Sequence, residues 1–187
     1  ERNLAAGLGE VQRIASAVDL PDSLCDQACQ LFRSAQEAGL LRGRSIEAMA
    51  AACVYGVCRC NGVSHTLTDV AGSARVAQSR VQSSYTALNT ELGLPTKPLL
   101  PSGYVPRLAS DLDCPDSVQQ RARTLADQVE NAGVTNGVNP AGFAAACLYK
   151  AGREEGRWLT QSDVAETGNV TPTTVRAHHE TLEDLVA

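Results

Sequence analysis

Residues 20–93 of this chain align with residues 114–187 at a constant offset of 94, without a gap. Leu20-Pro21-Asp22-Ser23-Leu24 returns as Cys114-Pro115-Asp116-Ser117-Val118, and Ala38-Gly39 returns as Ala132-Gly133. Ala50-Ala51-Ala52-Cys53-Val54-Tyr55 returns as Ala144-Ala145-Ala146-Cys147-Leu148-Tyr149, and Asp69-Val70-Ala71 as Asp163-Val164-Ala165. Val76, Val81 and Leu88 return as Val170, Val175 and Leu182. A solenoid repeat has a period of roughly 20–50 residues. The period here is longer and has the size of a small domain. The expectation is two copies of one domain, offering two similar surfaces to one partner.

Aromatic residues make up only 4% of the chain, so the cores must be built from Leu, Val, Ile, Ala and Cys. Alanine-rich interiors suit closely packed helices. No apolar run approaches the roughly 18 residues of a membrane span, and no signal peptide opens the chain. Seven cysteines, at 25, 29, 53, 58, 60, 114 and 147, are an odd number. Cys53 and Cys147 hold equivalent positions in apolar helical segments and read as buried free thiols. Cys25 and Cys29 share one helix, and Cys58-x-Cys60 is too tight for a zinc pair, so no metal and a reducing, intracellular setting are expected. The net charge of −5 is uneven: the first copy is neutral and the second carries −4. An acidic chain binds DNA poorly by charge alone. Two lysines beside fourteen arginines, with surplus acid, point to a salt-loving source.

Apolar residues recur at helical spacing throughout, and no strand pattern is present. Residues 1–18 form an amphipathic stripe of Leu4, Leu8, Val11, Ala15 and Val18. The first copy then reads as four helices. One is capped by Asp22 or Ser23 and stopped by Gly39, and one is capped by Ser45 and ends at Asn61-Gly62. A short one opens on the capping-box variant Thr66-Leu67-Thr68-Asp69, and the last runs from about 77 to 92. Residues 94–113, with Pro95, Pro98, Pro101 and Pro106, read as a connector holding a short helix from Tyr104 to Leu112 with Pro106 in its first turn. The second copy repeats the plan at about 116–131, 140–154, 161–167 and 172–186. Thr171 is an N-cap, Pro172 takes the first helical position, and Val170 can staple onto Val175. The domains are expected at 1–19 (a helix packing on the first repeat), 20–113 and 114–187.

In each copy a short capped helix, a tight turn and a longer helix follow one another, over 66–92 and 160–186. This is the shape of a helix-turn-helix. In a DNA reader the leading turn of its second helix enters the major groove. In the second copy Val175, His179, Leu182 and Val186 point inward by period. Thr173, Arg176, Ala177 and Glu180 point outward. An arginine there can pair with guanine through two hydrogen bonds, and a threonine methyl can meet a thymine methyl. The helix N-terminus attracts phosphate.

Glu1-Arg2-Asn3-Leu4-Ala5, Arg42-Gly43-Arg44-Ser45-Ile46-Glu47 and Tyr104-Val105-Pro106-Arg107-Leu108-Ala109-Ser110 resemble the core of archaeal transcription factor B, the relative of eukaryotic TFIIB. The resemblance covers essentially the whole chain. It implies an all-α fold of two tandem cyclin-like five-helix repeats, each with a helix-turn-helix. It implies a monomer in the archaeal cytoplasm, at the nucleoid, with the TATA-binding protein, promoter DNA and RNA polymerase as partners. The second helix-turn-helix would read the element upstream of the TATA box, and the first repeat would contact DNA downstream. The family's base-reading Val and Arg fall on Thr173 and Arg176. Thr171, Thr174, Thr160 and Gln161 lie beside them, and His178 is expected as a phosphate neighbour. His179 aligns with Tyr85 and is expected in the core. In the first repeat the family's Gly-Arg pair falls on Gln82-Ser83. Other basic positions there fall on Gln78, Ser79 and Thr86, and Arg80 alone is basic. A full family member opens with a zinc ribbon and a reader segment. Neither is found here, so no zinc or other cofactor is expected, and the sequence fits a core fragment or a divergent paralogue.

Two rivals remain. A cyclin-like adaptor that binds only protein would use grooves between helices, and the depleted basic positions favour it. An enzyme would need a phosphate loop, a His-Glu-x-x-His or a Gly-x-Ser-x-Gly, and none is present. The glycosylation sequon Asn169-Val170-Thr171 lies in the helix-turn-helix turn of a chain without a secretion signal.

Overall fold

The computed structural model describes residues 2–187. Glu1, which opens the amino-terminal motif and the expected first helix, lies outside the described residues. Among those residues there are ten helices and no strand: α1 (Arg2–Ala17), α2 (Asp22–Glu37), α3 (Ile46–Asn61), α4 (Leu67–Ser73), α5 (Gln78–Leu92), α6 (Pro101–Asp111), α7 (Asp116–Asn131), α8 (Pro140–Glu154), α9 (Gln161–Thr167) and α10 (Pro172–Val186). The chain divides between Pro98 and Leu99 into two compact units. The first holds α1–α5 and the second α6–α10. No helix among the described residues is long and apolar enough to cross a membrane.

Each unit is built around one helix that is buried on every side. In α3 every residue from Ala48 to Cys58 is buried, and in α8 every residue from Ala141 to Leu148. A helix apolar all round belongs at the centre of a bundle. Its alanines let neighbouring backbones come close. In the first unit α1, α2, α4 and α5 pack around α3, and in the second α6, α7, α9 and α10 pack around α8. Cys53 and Cys147 sit in these central helices as free thiols, and burial pushes the Cys147 thiol up to about 12. All seven cysteines are free.

The division of the chain differs from the expected boundary at 113/114. Residues of the connector open the second unit instead of closing the first, because α6 buries Tyr104, Val105, Leu108 and Ala109 in the second core. The repeat therefore reaches further back than residue 20. Val11, Ile14 and Ala15 of α1 correspond at the same offset of 94 to Val105, Leu108 and Ala109 of α6. Asp19 and Asp113, also equivalent, both turn the chain at positive φ, 54° and 50°. The α6 helix also starts a turn earlier than Tyr104. Pro101 takes its first helical position, leaving Pro106 in the interior, and the Ser102 amide donates to Glu130 Oε1 of α7 at 2.7 Å. That bond satisfies an amide left orphaned at a helix start.

Local signals account for most boundaries. Ser45 caps α3, Thr66 and Asp69 form a reciprocal capping box on α4, and Thr160 with Asp163 do the same on α9. Asp22 and Ser23 do not cap α2; Pro21 is its N-cap residue and no side chain bonds there. Gly39 and Gly133 end α2 and α7 at positive φ, 73° and 72°.

The repeat persists in side-chain contacts. Tyr55 meets Tyr85 edge to face with ring centroids 4.8 Å apart, and Tyr149 meets His179 the same way at 5.1 Å. Arg59 lies over the Tyr55 ring and Arg153 over the Tyr149 ring. Around this second pair, charges tie three helices together. Arg121 of α7 pairs with Glu154, and Lys150 bridges Glu154 to Glu183 of α10, the latter at 2.7 Å. The large core residues are distributed differently. Phe32 of α2 fills a notch over Gly7, whereas its equivalent is Ala126, and the second unit places Phe143 on α8 instead. His178 stacks on Phe143 with centroids 4.3 Å apart, closing α10 onto α8.

Two predictions follow from this packing. A Cβ at Gly7 would stand 2.0 Å from Phe32 Cζ. Alanine favours a helix by about 1 kcal/mol over glycine, but the fully buried Phe32 ring would have to shift to admit it. Gly7→Ala should lower stability in urea unfolding by about 1–3 kcal/mol, as overpacked cores do, and Phe32→Leu should recover part of the loss. Second, burial holds His178 and His179 below the ordinary imidazole value of 6.5. Their contribution is whole above 6.5 and is lost as pH falls through the folded values. Glu154 and Glu183 are held low by hydrogen bonds from Arg121 and Lys150 respectively, so their contribution is lost further down, below the ordinary 4.5. Urea midpoints read by circular dichroism should therefore decline between pH 7 and 4. His178→Phe should flatten the upper part of that decline.

Candidate nucleic-acid interface

The helix-turn-helix of the second unit is α9, the turn 168–171 and α10. The turn is held close to the body. Gly168 is buried, and a Cβ there would stand 3.2 Å from Val164 O and 3.3 Å from Ala141 O. Asn169 takes a left-handed conformation, φ 52°, which asparagine tolerates better than most residues. The Val170 amide donates to Ala165 O at 2.9 Å, closing the end of α9.

The first turn of α10 then projects outward. Thr171 caps it, its Oγ1 accepting from the Thr174 amide at 3.2 Å and lying 3.0 Å from Thr174 Oγ1. Pro172 supplies a preset φ at the first position. Thr171, Pro172, Thr173, Arg176 and Ala177 are exposed, while Val175 and Leu182 are fully buried. Arg176 makes no hydrogen bond or ion pair with any described residue. Thr173 and Arg176 thus share an open face three residues apart. Thr174 is half-buried, with its methyl 3.2 Å from where a Cβ on Gly142 would stand.

His178 departs from the phosphate-neighbour expectation. It is half-buried against Phe143 and Gly142, and burial pulls its pKa down. A neutral ring engaged in a stack offers no cation to a phosphate. His179 is half-buried between Tyr149 and Glu183. Thr160 is exposed, but its hydroxyl accepts from the Asp163 amide at 3.0 Å and the Asp163 carboxylate accepts from the Thr160 amide at 3.0 Å. Hydrogen bonding from the Thr160 hydroxyl and then from its amide holds the Asp163 carboxyl below the usual carboxylate range. An anion therefore already occupies the start of α9, beside the half-buried Gln161.

In the first unit Gln78, Ser79, Arg80, Gln82 and Ser83 are all exposed on α5. They split by face. Ser79, Arg80 and Ser83 line a hollow of about 150 Å³ together with Arg44, Ser45 and Ser84. Gln78 donates to Thr68 Oγ1 at 3.3 Å and Gln82 to Thr86 Oγ1 at 3.3 Å, so both are engaged in local bonds. Arg44 donates to Leu40 O at 3.0 Å, which fixes its guanidinium at the mouth of α3. Two guanidiniums and four hydroxyls around one small hollow can hold a phosphate-sized anion. Sequence does not single out Arg44 as a site residue, although it lies in the Arg42-Gly43-Arg44-Ser45 motif. The signal was the repeat itself. The counterpart of Ser84 is His178 and that of Ala48 is Gly142, and in the second unit the histidine fills the matching space. Arg75, equivalent to Asn169, adds an exposed cation in the turn of the first unit.

The two units therefore carry their arginines at different registers. Arg80 corresponds to Thr174 and Arg176 to Gln82. Two residues apart on a helix is more than half a turn. Arg80 lines a hollow against α3, whereas Arg176 stands clear of its unit. Among the described residues no group of three or more His, Cys, Asp or Glu is placed to hold a metal ion.

A family model described as transcription factor TFIIB repeat matches residues 1–91 and again 96–184, one match falling in each unit. The chain is 57% identical to transcription initiation factor IIB 5 of Halobacterium salinarum over 100% of its own length and 61% of that protein. It is 44% identical to transcription initiation factor IIB 1 of the same organism, over 97% of this chain and 63% of the relative. It is 41% identical to transcription initiation factor IIB of Pyrococcus furiosus, over 97% and 61%. The chain thus spans about three fifths of the length of these curated relatives. With one TFIIB repeat in each five-helix unit and relatives aligned along its whole length, the chain belongs to the TFIIB transcription factor family.

Proposed function

We propose that the chain is the core of a transcription initiation factor. It binds promoter DNA jointly with the TATA-binding protein, reads the element upstream of the TATA box, and helps recruit RNA polymerase. The observation that carries the reading is the open first turn of α10, where Thr173 and Arg176 stand exposed on a helix whose start is fixed by Thr171 and Pro172. Arg176 suits a guanine edge and the Thr173 methyl a thymine methyl. The relatives aligned with the whole chain are named transcription initiation factors, which supports the same reading. In the first unit, the hollow between Arg44 and Arg80 takes a phosphate of the flanking duplex and adds affinity without sequence preference.

The acidic balance decides how binding is achieved. Nonspecific attraction to DNA grows with the number of phosphates neutralised, and this chain offers few cations for that purpose. Base edges, DNA shape and contact with the partner protein must supply the rest, so the isolated chain binds random DNA weakly. A purely protein-binding adaptor is the second reading, favoured by the carboxylate of Asp163 at the start of α9. It forbids a promoter-dependent complex.

Mobility shifts with the TATA-binding protein, on promoters differing only upstream of the TATA box, separate the two readings. Arg176→Ala should weaken binding at the preferred upstream element by about 1–3 kcal/mol and relax the preference there. An unchanged preference would assign base reading to another residue. Arg44→Ala with Arg80→Ala should instead weaken all promoters alike and reduce the salt dependence, as loss of phosphate contacts does.

A further inference from the structure

Trp158 is 88% exposed and is the only tryptophan of the chain. A single exposed apolar residue needs no explanation by itself. Here, however, the loop is built to hold the ring out. Gly156 turns the chain at φ 76°, and the Arg157 amide donates to Gly152 O at 2.8 Å. Gly152 permits this closeness, since a Cβ there would stand 2.8 Å from Arg157 O. The next residue, Leu159, is buried at 6% exposure. With Leu159 locked inward and the backbone fixed on both sides, the indole is presented by a rigid support.

The ring borders a cup of about 340 Å³. Asp111 and Asp113 contribute from the end of α6, Asp163 and Glu166 from α9, and Arg157 is the only cation lining it among the described residues. Asp111 lies 3.9 Å from Arg107 and Asp163 caps α9, so these carboxylates are held in place. The first unit keeps only two of these carboxylates, Asp19 and Asp69, equivalent to Asp113 and Asp163. The positions equivalent to Trp158, Asp111 and Glu166 are Ser64, Ala17 and Gly72. The cup is therefore not a by-product of the fold.

We infer that the cup around Trp158 is a docking site for a cationic segment of a partner protein, with an arginine or lysine side chain laid on the indole between the carboxylates. Charge complementarity selects this occupant. A cation over an indole face is attracted by the ring, and the surrounding carboxylates focus the same sign of potential. A nucleic acid would bring phosphates against four carboxylates. Tryptophan is also a residue type on which binding energy concentrates at interfaces, and here it borders the cup on a fixed backbone. The site is independent of the exposed face of α10.

Because Trp158 is the sole indole, its fluorescence reads the cup directly. The whole chain, in 0.1 M KCl at pH 7, is titrated with a capped hexa-arginine peptide, its uncharged citrulline counterpart, and a 20-base-pair duplex. Arginine peptide alone should give a saturable change in emission. Asp111→Asn, Asp113→Asn and Glu166→Gln together should weaken it by about tenfold or more. Asparagine tolerates the positive φ of residue 113, and Asp163 is left to its cap. Neutralising Asp127, Glu180 and Asp184 instead, an equal change in net charge, should shift it by less than about twofold. Trp158→Ala, read by anisotropy of a labelled peptide, should weaken binding by about fivefold or more. Equal weakening by both charge variants, indifference to Trp158→Ala, no response to the arginine peptide, or a response to duplex in its place would each overturn the assignment.

Discussion

Burial of one alanine-rich helix at the centre of each unit is the constraint on which the rest depends. A helix with no polar face cannot lie on a surface, so α3 and α8 each recruit four partners. Their small side chains allow those partners to approach closely. That closeness aligns the short helices α4 and α9 beside α5 and α10, because all of them pack on the same rod. The helix-turn-helix in each unit is thus a consequence of how a central helix is covered. Its outward edge is whatever the covering helix has left over.

What is left over differs between the units, although the framework repeats. The ring contact of Tyr55 with Tyr85 survives as Tyr149 with His179, and each tyrosine keeps an arginine over its face. Yet at the junction of the central helix with the last helix of the unit, a serine in one unit is a histidine in the other. Ser84 leaves a hollow open beside Arg80 and Arg44, whereas His178 fills the space by stacking on Phe143. The first unit is left with a recess suited to an anion. The second is closed there and offers Arg176 outward. One duplication has produced a recess lined by two arginines and an open helix edge carrying Arg176 from the same scaffold.

Charge separates the surfaces further. In the second unit acid groups are spent on structure, as in the bridge from Arg121 through Glu154 and Lys150 to Glu183 and in the cap of α9 by Asp163. They also collect around Trp158, where Arg157 is the only cation lining the cup among the described residues, although Asp111 also pairs with Arg107. A chain with this balance cannot rely on general attraction to a polyanion. Any affinity for DNA must come from specific contacts instead.

Sequence alone determined the order of the helices, most of their caps and the duplication, because these follow from spacing and from residues within a few positions of one another. Thr66 with Asp69, Thr171 with Pro172, and the stripe through Val175 and Leu182 are local facts. The same holds for the exposure of Thr173 and Arg176, which helical period dictates. Tertiary structure decided what period cannot express. It assigned the connector from Leu99 onward, with Pro101 and Pro106, to the second unit, because the apolar face of α6 is matched by a core lying further along the chain. It moved His178 from surface to stack, because Phe143 and Gly142 open a slot that no spacing rule reveals. It joined Arg44 to Arg80 across 36 positions of sequence, and it raised Trp158 out of a loop whose neighbours are locked. Each of these depends on contacts between distant residues, where shape decides and local pattern is silent.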